Sequence, residues 1–374
     1  MNSDIRVTVI IPPYNRKNYL LDAVKSIVEQ TVKPFEILII DDGSNFCVKS
    51  LLGSYVNDVQ VIVKENGGKP TAVNLGIDMA QGSHIWVFDD DDIAINNYLQ
   101  VCVECLQKSN NSYVFGWHYA ATDDEINNSK VTKTRKPNFS EDDSIFVSLL
   151  EGCSFAHNAI IADKKCYTSL SGFDTTYPCS EDYEFQLRLA QKYSGKYIDV
   201  PAFIRRVHDG ERGGKDFTYS ANQRRKKFIE QDKRFISHYL DTLTLREYAK
   251  TPSVEEDKSA LITQKLYICL RLGMYEYFAK FLQQANTETN FKPTLSIVEQ
   301  KRIIGLFTYL ESELLSALEK NVQLLHQVFQ EQNTAYAFQI KKAMKKGLIK
   351  AALTKLRGLN ANFAMNLSKL AIKL

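Results

Sequence analysis

The sequence predicts an α/β domain built on a mostly parallel sheet, followed by a helical region. As far as about residue 200, short β-branched segments alternate with segments of helical period, which is typical of βαβ units. Polar residues directly follow several of these apolar segments. Beyond about residue 215 the strand pattern disappears while the helical period continues. We therefore expect a sheet domain with an all-helical extension.

Four strands are predicted in the first quarter of the chain. They are Arg6 to Ile11, Glu36 to Ile40, Val59 to Val63 and His84 to Phe88. Apolar residues recur at helical spacing between the first two strands, from Leu20 to Val28, so one face of that helix should pack on the sheet. Open parallel sheets bind their ligands at the carboxyl ends of the strands, which is where the polar residues gather.

Composition places the chain among ordinary globular proteins. It has 374 residues, of which 44% are hydrophobic and 24% are charged. No apolar run approaches the roughly 18 residues that a membrane-spanning helix needs. The amino terminus carries Asp4, and its apolar run is cut by Pro12 and Pro13, unlike a signal peptide. With seven cysteines at irregular spacing, typical of reduced thiols, these features predict a cytoplasmic protein.

Four consecutive aspartates, Asp89 to Asp92, follow the apolar segment Trp86 to Phe88. Their charges repel one another unless a cation neutralises them. Carboxylate oxygens suit a hard divalent ion such as Mg²⁺ or Mn²⁺, which usually shares its coordination with substrate phosphates. The alternative is a solvated acidic turn that caps the next helix. The aspartate run alone leaves both interpretations open.

The aspartate run is one of several motifs that occur in a fixed order. In chain order they are Pro12-Pro13-Tyr14-Asn15, Asp41-Asp42-Gly43-Ser44, Asn66-Gly67-Gly68-Lys69 with Asn74, Asp89 to Asp92, Gly172-Phe173-Asp174, and Ser180-Glu181-Asp182-Tyr183. This series resembles the family 2 glycosyltransferases, inverting enzymes of the GT-A fold that use nucleotide-diphosphate sugars. The resemblance covers roughly residues 5 to 215 and not the helical remainder.

The resemblance implies a set of donor-binding residues. They are Pro12, Tyr14 and Asn15 at the nucleotide end, Asp41 or Asp42 at the base, Lys69 and Asn74 near the ribose and diphosphate, and Asp89 and Asp90 in the DxD motif. Asp91 is the implied ligand of Mn²⁺ or Mg²⁺, and His208 completes the metal shell or contacts phosphate. The sequence departs from the family at Pro13, where Thr or Ser is usual, and at Asp90, where a small residue is common.

Asp182 matches the catalytic base of the family. Such a base takes the proton from the acceptor hydroxyl as its oxygen attacks the anomeric carbon. Glu181 suits this role equally by its chemistry, and only the family pattern favours Asp182. A pair of acids at a helix amino terminus is also favoured by the macrodipole alone. His157 and Asn158 are candidate acceptor contacts. Arg212 is a candidate lid residue in the glycine-rich link Asp209 to Lys215, which we expect to be flexible and poor in secondary structure.

The resemblance implies a metal-dependent inverting glycosyltransferase of the hexosyltransferase type. It further implies transfer from a UDP-sugar to a saccharide or lipid-linked acceptor in cell-surface polysaccharide synthesis. The alternative is a non-catalytic nucleotide-sugar-binding scaffold of a membrane glycan assembly complex, although every acidic position that the chemistry requires is filled. The sequence contains neither a P-loop nor a Rossmann glycine motif after its first strand.

The end of the chain is strongly basic. No Asp or Glu follows Glu331, whereas lysines recur from Lys341 onward, beside an apolar stripe that includes Ile340, Met344 and Leu348. This pattern is typical of an amphipathic helix that binds an anionic membrane surface, and it is also compatible with a packed final helix. We expect three regions, residues 1–215, 216–335 and 336–374, and a peripheral location on the inner face of the membrane. No nucleic-acid motif is present.

Overall fold

The computed structural model describes residues 5–137, 140, 142–208, 212–214, 217–219, 221–254, 257–287, 294–309, 311–332, 334–357 and 361–374. The chain divides into two compact units. Unit 1 comprises residues 1–141 and 152–232, and unit 2 comprises residues 142–151 and 233–374. The functional boundaries expected near residues 215 and 335 stay predictions, because a division by compactness does not test where a functional domain ends.

The strands lie in unit 1. They are β1 Val7–Ile11, β2 Glu36–Asp41, β3 Gln60–Val63, β4 His84–Val87, β5 Ile93–Ala94, β6 Tyr113–Ala121, β7 Lys133–Arg135, β8 Ile160–Asp163, β9 Gly195–Arg206, β10 Arg212–Gly214 and β11 Phe217–Tyr219. The four strands predicted from the sequence are confirmed, each to within one residue at either end.

The main sheet is mixed. In the described residues its order is β3-β2-β1-β4-β8-β6-β9-β5, with β7 paired to β6. Strands β3, β2, β1 and β4 run parallel, so their carboxyl ends lie along one edge. Strand β8 is antiparallel to both β4 and β6, whereas β6 and β9 are parallel. The expected α/β class is confirmed.

Helices cover the sheet of unit 1. The α-helices of the chain are α1 Leu20–Val28, α2 Val48–Leu51, α3 Lys69–Met79, α4 Tyr98–Gln107, α5 Asp123–Asn127, α6 Ile145–Leu150, α7 Lys164–Ser169, α8 Glu181–Lys192, α9 Ala221–Thr242, α10 Lys258–Arg271, α11 Tyr275–Thr287, α12 Ile297–Thr308, α13 Ser312–Glu331, α14 Ala335–Arg357 and α15 Ala361–Lys373. Short 3₁₀ helices occupy Gly53–Asp58, His157–Ala159, Leu245–Tyr248 and Pro252–Val254. Residues of β1 and β2 are buried throughout their centres, as expected of a parallel sheet covered on both faces.

Part of the link Asp209 to Lys215, which we expected to be poor in secondary structure, is a strand, because Arg212–Gly214 pairs with Phe217–Tyr219 as an antiparallel ladder. The helical pattern expected beyond residue 215 is confirmed, and Gly273, with a φ of 62°, separates α10 from α11. A left-handed residue at this position ends a helix, and glycine adopts it without a Cβ penalty.

The basic tail is two packed helices. Helix α14 packs against α12 and α15 within unit 2. The apolar stripe that we expected to meet a membrane is buried there, with Ile340, Met344 and Leu348 at most 1% exposed. Within the described residues, no helix is long and apolar enough to cross a membrane.

Gly347 sets the close approach of α14 to α12. A Cβ at this position would lie 2.6 Å from the Phe307 Cβ and 2.7 Å from the Ile304 carbonyl oxygen. Gly305, in α12, is a matched position, because a Cβ there would meet nothing within 4 Å. The same substitution therefore fills a tight contact in one helix and open space in the other.

We predict opposite effects for Gly347→Ala and Gly305→Ala on thermal unfolding of the full chain. Gly305→Ala should raise stability by up to about 1 kcal/mol, the gain in helix propensity. Gly347→Ala should lower it by about 1 to 3 kcal/mol, the usual cost of overpacking. Differential scanning calorimetry measures both changes. Equal shifts in the two variants would contradict the close packing of α14 on α12.

Candidate active site

Three parallel strands deliver polar loops to one edge of the sheet. The loop after β1 contains Pro12 to Asn15, the loop after β2 contains Asp41 to Ser44, and the loop after β4 contains Asp89 to Asp92. Backbone and side-chain bonds tie them together. Asp42 N donates to the Pro13 carbonyl oxygen at 3.0 Å, Asn15 N to Ser44 Oγ at 3.0 Å, and Tyr14 N to Asp90 Oδ2 at 3.3 Å. The structure thus brings the first, second and fourth motifs together.

The aspartate run forms a compact carboxylate cluster. One oxygen from each of Asp89, Asp91 and Asp92 lies within 4.8 Å of the others. The Asn158 amide donates to Asp89 Oδ2 at 3.0 Å and to Asp92 Oδ2 at 2.7 Å, and the Arg206 backbone N donates to Asp92 Oδ1 at 3.0 Å. Burial, followed by repulsion from Asp91, raises the pKa of Asp92 well above its usual range. The cluster therefore favours a bound cation.

Asp90 differs from its neighbours because it faces the loop after β1. Its carboxylate accepts the Tyr14 N–H. Burial, followed by the charge of Asp91, raises the pKa of Asp90 well above the usual value. A buried carboxyl that holds a backbone amide fixes the loop, and Asp90 is not part of the three-aspartate cluster.

Asp91 is contacted by two basic side chains. Its Oδ2 accepts from Arg16 Nη1 and lies 3.0 Å from His208 Nε2. Arg16 Nη1 also lies 3.0 Å from the same imidazole nitrogen. The His208 ring packs against the Tyr19 ring with 5.1 Å between centroids. The structure therefore places the two predicted metal ligands, Asp91 and His208, side by side, with Arg16 in contact with both.

Arg206 braces the same region from β9. Its side chain donates to Asp22 at 2.9 Å, to Asp123 and to the backbone oxygen of Asp91 at 3.1 Å. Its guanidinium carbon lies 4.7 Å from the centroid of the Tyr19 ring. With a side chain that is 6% exposed and several fixed partners, Arg206 is a structural cation.

Lys69 connects the aspartate cluster to the acid pair of α8. It is the first residue of α3, and its Nζ lies 2.5 Å from Asp89 Oδ1 and 3.9 Å from Glu181 Oε1. Burial by itself lowers the pKa of Lys69, but the charges of Asp89, Glu181 and Asp182 together outweigh burial, so the net direction is upward. The ammonium is therefore a permanent positive charge between two sets of carboxylates.

Glu181 and Asp182 begin α8, immediately after Ser180, which adopts a left-handed φ of 60°. Burial, followed by the charge of Asp182, raises the pKa of Glu181 to about 7. Burial also raises the pKa of Asp182, although Lys69 opposes the shift. Asp182 is the more accessible of the two, since Glu181 is 8% exposed. A carboxylate whose proton affinity is raised toward neutrality suits general base catalysis.

Asp42 is an anchor for the loop before α3. Its two oxygens accept from Lys64 Nζ at 2.6 Å, Asn66 Nδ2 at 2.9 Å, Gly67 N at 3.0 Å and Gly68 N at 2.8 Å. Four donors fill the accepting capacity of a carboxylate. This placement does not support the contact with the nucleotide base that we expected of Asp42. Of the two candidates for that contact, it favours Asp41.

Asn74 is also a clamp. Its Nδ2 donates to the Phe173 carbonyl oxygen at 2.8 Å, and its Oδ1 accepts from Phe173 N at 2.8 Å. The nitrogen and the oxygen of the Asn74 amide are thus both hydrogen-bonded to the backbone of Phe173. The segment that contains Phe173 leads to Ser180 and the acid pair. The donor contact expected of Asn74 stays a prediction, while in this structure the side chain positions the chain before α8.

His157 lies in the core. Its ring packs edge-on against Phe173 and Phe185, with centroid distances of 5.0 and 5.6 Å, and its Nε2 is 3.2 Å from the Tyr167 hydroxyl. Burial, followed by the charge of Lys69, lowers the pKa of His157 to about 3. A neutral ring in an aromatic cluster does not support the acceptor contact expected of it. Arg212 begins β10, and its side chain lies outside the described residues.

Three site residues were not identified from the sequence. They are Arg16, Lys64 and Arg206. Each lies within two residues of a position that was recognised, so proximity along the chain was a usable signal. Asn158 was expected near the acceptor, and the structure places its amide on Asp89 and Asp92 instead, 66 to 69 residues away in the sequence.

Comparisons with known proteins agree with this geometry. Residues 8–161 match the family model described as glycosyl transferase family 2. A protein named as an uncharacterized glycosyltransferase of Rickettsia typhi is 25% identical over 84% of this chain and 91% of its own length. Glycosyltransferase GlyG of Streptococcus pneumoniae is 33% identical over 30% of this chain and 39% of its own length.

The fold is similar to that of solved structures of S. aureus TarS. The crystal structure of TarS 1–349 in complex with UDP-GlcNAc is 14% identical, has a TM-score of 0.53, and is matched over 98% of this chain and 91% of that one. The mixed sheet, with a carboxylate cluster after its fourth strand and an acid pair on a later helix, fits the expected GT-A fold. Residues 8–161 therefore match the family 2 glycosyltransferases, and a helical region follows this part of the chain.

We predict that Asn74→Ala slows sugar transfer while UDP affinity stays within about twofold. Loss of the two bonds to Phe173 releases the segment before the acid pair, and small displacements of catalytic groups cost up to about 10²-fold in rate. Steady-state kinetics and isothermal titration calorimetry measure the two quantities. A large loss of UDP affinity without a loss of rate would restore the donor contact.

Proposed function

We propose that this glycosyltransferase catalyses metal-dependent, inverting transfer from a UDP-sugar to a saccharide or lipid-linked acceptor. The observation that carries the proposal is the continuous set of charged groups from His208 and Asp91, through Asp89 and Lys69, to the acid pair of α8. The end of this set at Asp91 and His208 suits a metal and a diphosphate. The end at the acid pair suits a catalytic base. The pathway we propose is cell-surface polysaccharide synthesis.

The residues present fit Mn²⁺ or Mg²⁺. Asp91 and His208 would hold the ion, with Asp89 or Asp92 as a further carboxylate ligand. Carboxylate oxygens with one imidazole suit these hard and borderline ions. When bound, such an ion acts as a Lewis acid that stabilises the charge on the departing diphosphate. The raised pKa of the buried Asp92 supports the fit, because it indicates a carboxyl in need of positive charge.

The donor nucleotide would lie along the loops after β1 and β2. Asp41, at the end of β2, is proposed to accept a hydrogen bond from the imide of the nucleotide base. Pro12, Tyr14 and Asn15 form the adjoining surface. Asn15 Oδ1 accepts from Asn45 N at 2.9 Å, which fixes one loop against the other. The TarS structures with UDP and UDP-GlcNAc support a uridine donor for this fold.

Asp182 is the proposed catalytic base. The acceptor hydroxyl oxygen forms a bond to the anomeric carbon, the bond from that carbon to the diphosphate oxygen breaks, and the hydroxyl proton passes to Asp182. Lys69 sits between the acid pair and Asp89, so its charge favours the ionised form of the base before attack. A single displacement of this kind inverts the anomeric configuration.

Hydrolysis of UDP-sugars tests the proposal without knowledge of the acceptor. We predict turnover of at least one UDP-sugar with Mn²⁺ or Mg²⁺ and its loss with a chelator. Asp182→Asn should keep UDP affinity and lower turnover by about 10² to 10⁴, the usual contribution of a general base. The rate of the wild-type enzyme should fall on the acid side at a higher pH than an ordinary aspartate would give, because burial raises the pKa of Asp182.

Glu181→Gln is the matched control for this prediction. It removes the neighbouring carboxylate but leaves Asp182, so the acid limb of the pH profile should persist. If Glu181→Gln loses the activity and Asp182→Asn keeps it, the base is Glu181. If neither variant changes turnover, the scaffold alternative is favoured over the enzyme.

We also propose that the outer face of α14 binds anionic membrane surfaces. This outer face is defined by Phe338, Lys342, Lys346, Ile349, Lys350 and Leu353, all of which are exposed. It is not the stripe first expected, which is buried. Exposed apolar side chains among lysines are the composition of helices that lie in a membrane interface. The attachment would hold the enzyme near lipid-linked acceptors at the inner face.

Charge reversal on the outer face of α14 tests this attachment. We predict that the full chain sediments with anionic vesicles at low salt and that the triple variant of Lys342, Lys346 and Lys350 to Glu does not. Each lysine near an anionic surface contributes about 1 kcal/mol. The matched control reverses Lys25, Lys49 and Lys130, three exposed lysines of unit 1. Equal loss in both variants, or no sedimentation of the unaltered chain, would contradict the proposal.

A further inference from the structure

Arg16 contacts both proposed metal ligands at once. Its Nη1 donates to Asp91 Oδ2 and lies 3.0 Å from His208 Nε2, and the latter two atoms are themselves 3.0 Å apart. Three polar atoms thus form a small triangle with one guanidinium nitrogen at a corner. Arg16 competes with any cation that Asp91 and His208 would bind together.

The triangle cannot satisfy all of its hydrogen bonds. Arginine stays protonated in proteins, so Arg16 Nη1 is a donor only. If His208 Nε2 accepts from Arg16, it carries no proton that it could donate to Asp91. If Nε2 instead carries a proton for Asp91, two N–H groups face each other. A divalent cation removes the conflict, because it takes electron pairs from both the carboxylate and the imidazole.

We propose that Arg16 is a built-in occupant of the metal position, displaced by the divalent ion and then available to the donor diphosphate. The inference rests on the proposed function, since it concerns the same site. It makes Arg16 a positioning residue that couples the two ligands of the enzyme. Metal binding alone must break the contacts of Arg16, whereas metal binding with a diphosphate offers the guanidinium a new anion.

Arg16 is suited to move, in contrast to Arg206. Its side chain is 20% exposed and projects from the loop between β1 and α1, where Asn15 and Lys17 are both exposed. Arg206 is the last residue of β9, its side chain is 6% exposed, and it is held by Asp22, Asp123 and the Asp91 backbone. The same cluster therefore contains one fixed cation and one that can be exchanged.

The test compares Mn²⁺ binding by the full chain with and without UDP, measured by titration calorimetry. Arg16→Met keeps the length of the side chain and removes its charge, and it should bind Mn²⁺ alone about tenfold more tightly than the unaltered chain. Because the variant has no Arg16 contacts whose loss the diphosphate could offset, the increase in Mn²⁺ affinity caused by UDP should shrink by a similar factor, and so should the effect of Mn²⁺ on UDP affinity. Lys17→Met removes an exposed neighbouring charge and should change neither quantity by more than about twofold.

The outcomes separate the inference from the function on which it rests. Unchanged or weaker Mn²⁺ binding by Arg16→Met, while UDP and Mn²⁺ still bind the unaltered chain together, overturns the role of Arg16 and leaves the proposed function standing. Tighter Mn²⁺ binding with an undiminished effect of UDP overturns the transfer of Arg16 to the diphosphate. Absence of Mn²⁺ binding by the unaltered chain, even with UDP, overturns the metal-dependent function itself.

Discussion

Mutual repulsion among carboxylates at one edge of the sheet is the constraint on which the site depends. Asp89, Asp91 and Asp92 lie within a few ångströms of one another, and Asp90 and Asp92 are buried. Such a cluster persists only if positive charge and hydrogen-bond donors surround it. The surrounding chain supplies Arg16, Lys69 and the Asn158 amide, and these partners determine where the adjacent loops can lie.

The polar residues of the site divide into anchors and groups with fewer fixed partners. The side chains of Asp42, Asn74 and Arg206 form hydrogen bonds within the protein itself, and these bonds hold the loops in place. Asp182, Lys69 and Arg16 keep partial exposure or shared contacts, and we propose that a substrate or metal recruits them. Preorganisation of this kind places the cost of ordering the site on folding rather than on catalysis.

Helix α14 of the helical region has two faces that differ in burial. Helix α14 is amphipathic as the sequence indicated, but its largest apolar stripe packs against α12 and α15, where Gly347 permits close approach. A smaller set of apolar residues, Phe338, Ile349 and Leu353, remains exposed among lysines on the opposite face. The helix therefore serves the stability of unit 2 with one face and offers a charged surface with the other.

The sequence by itself determined the elements and the chemistry of this protein. Strand and helix patterns, the aspartate run and the order of the motifs depend on local periodicity and on residue type, and both can be read along the chain. Tertiary structure alone decided which polar groups already have hydrogen-bond partners within the protein. These partners lie 66 to 192 residues apart in the sequence, as in the pairs Asn158 and Asp92, Asn74 and Phe173, and Arg16 and His208. The same limit applied to the tail, since periodicity identifies an apolar face but not the surface that buries it.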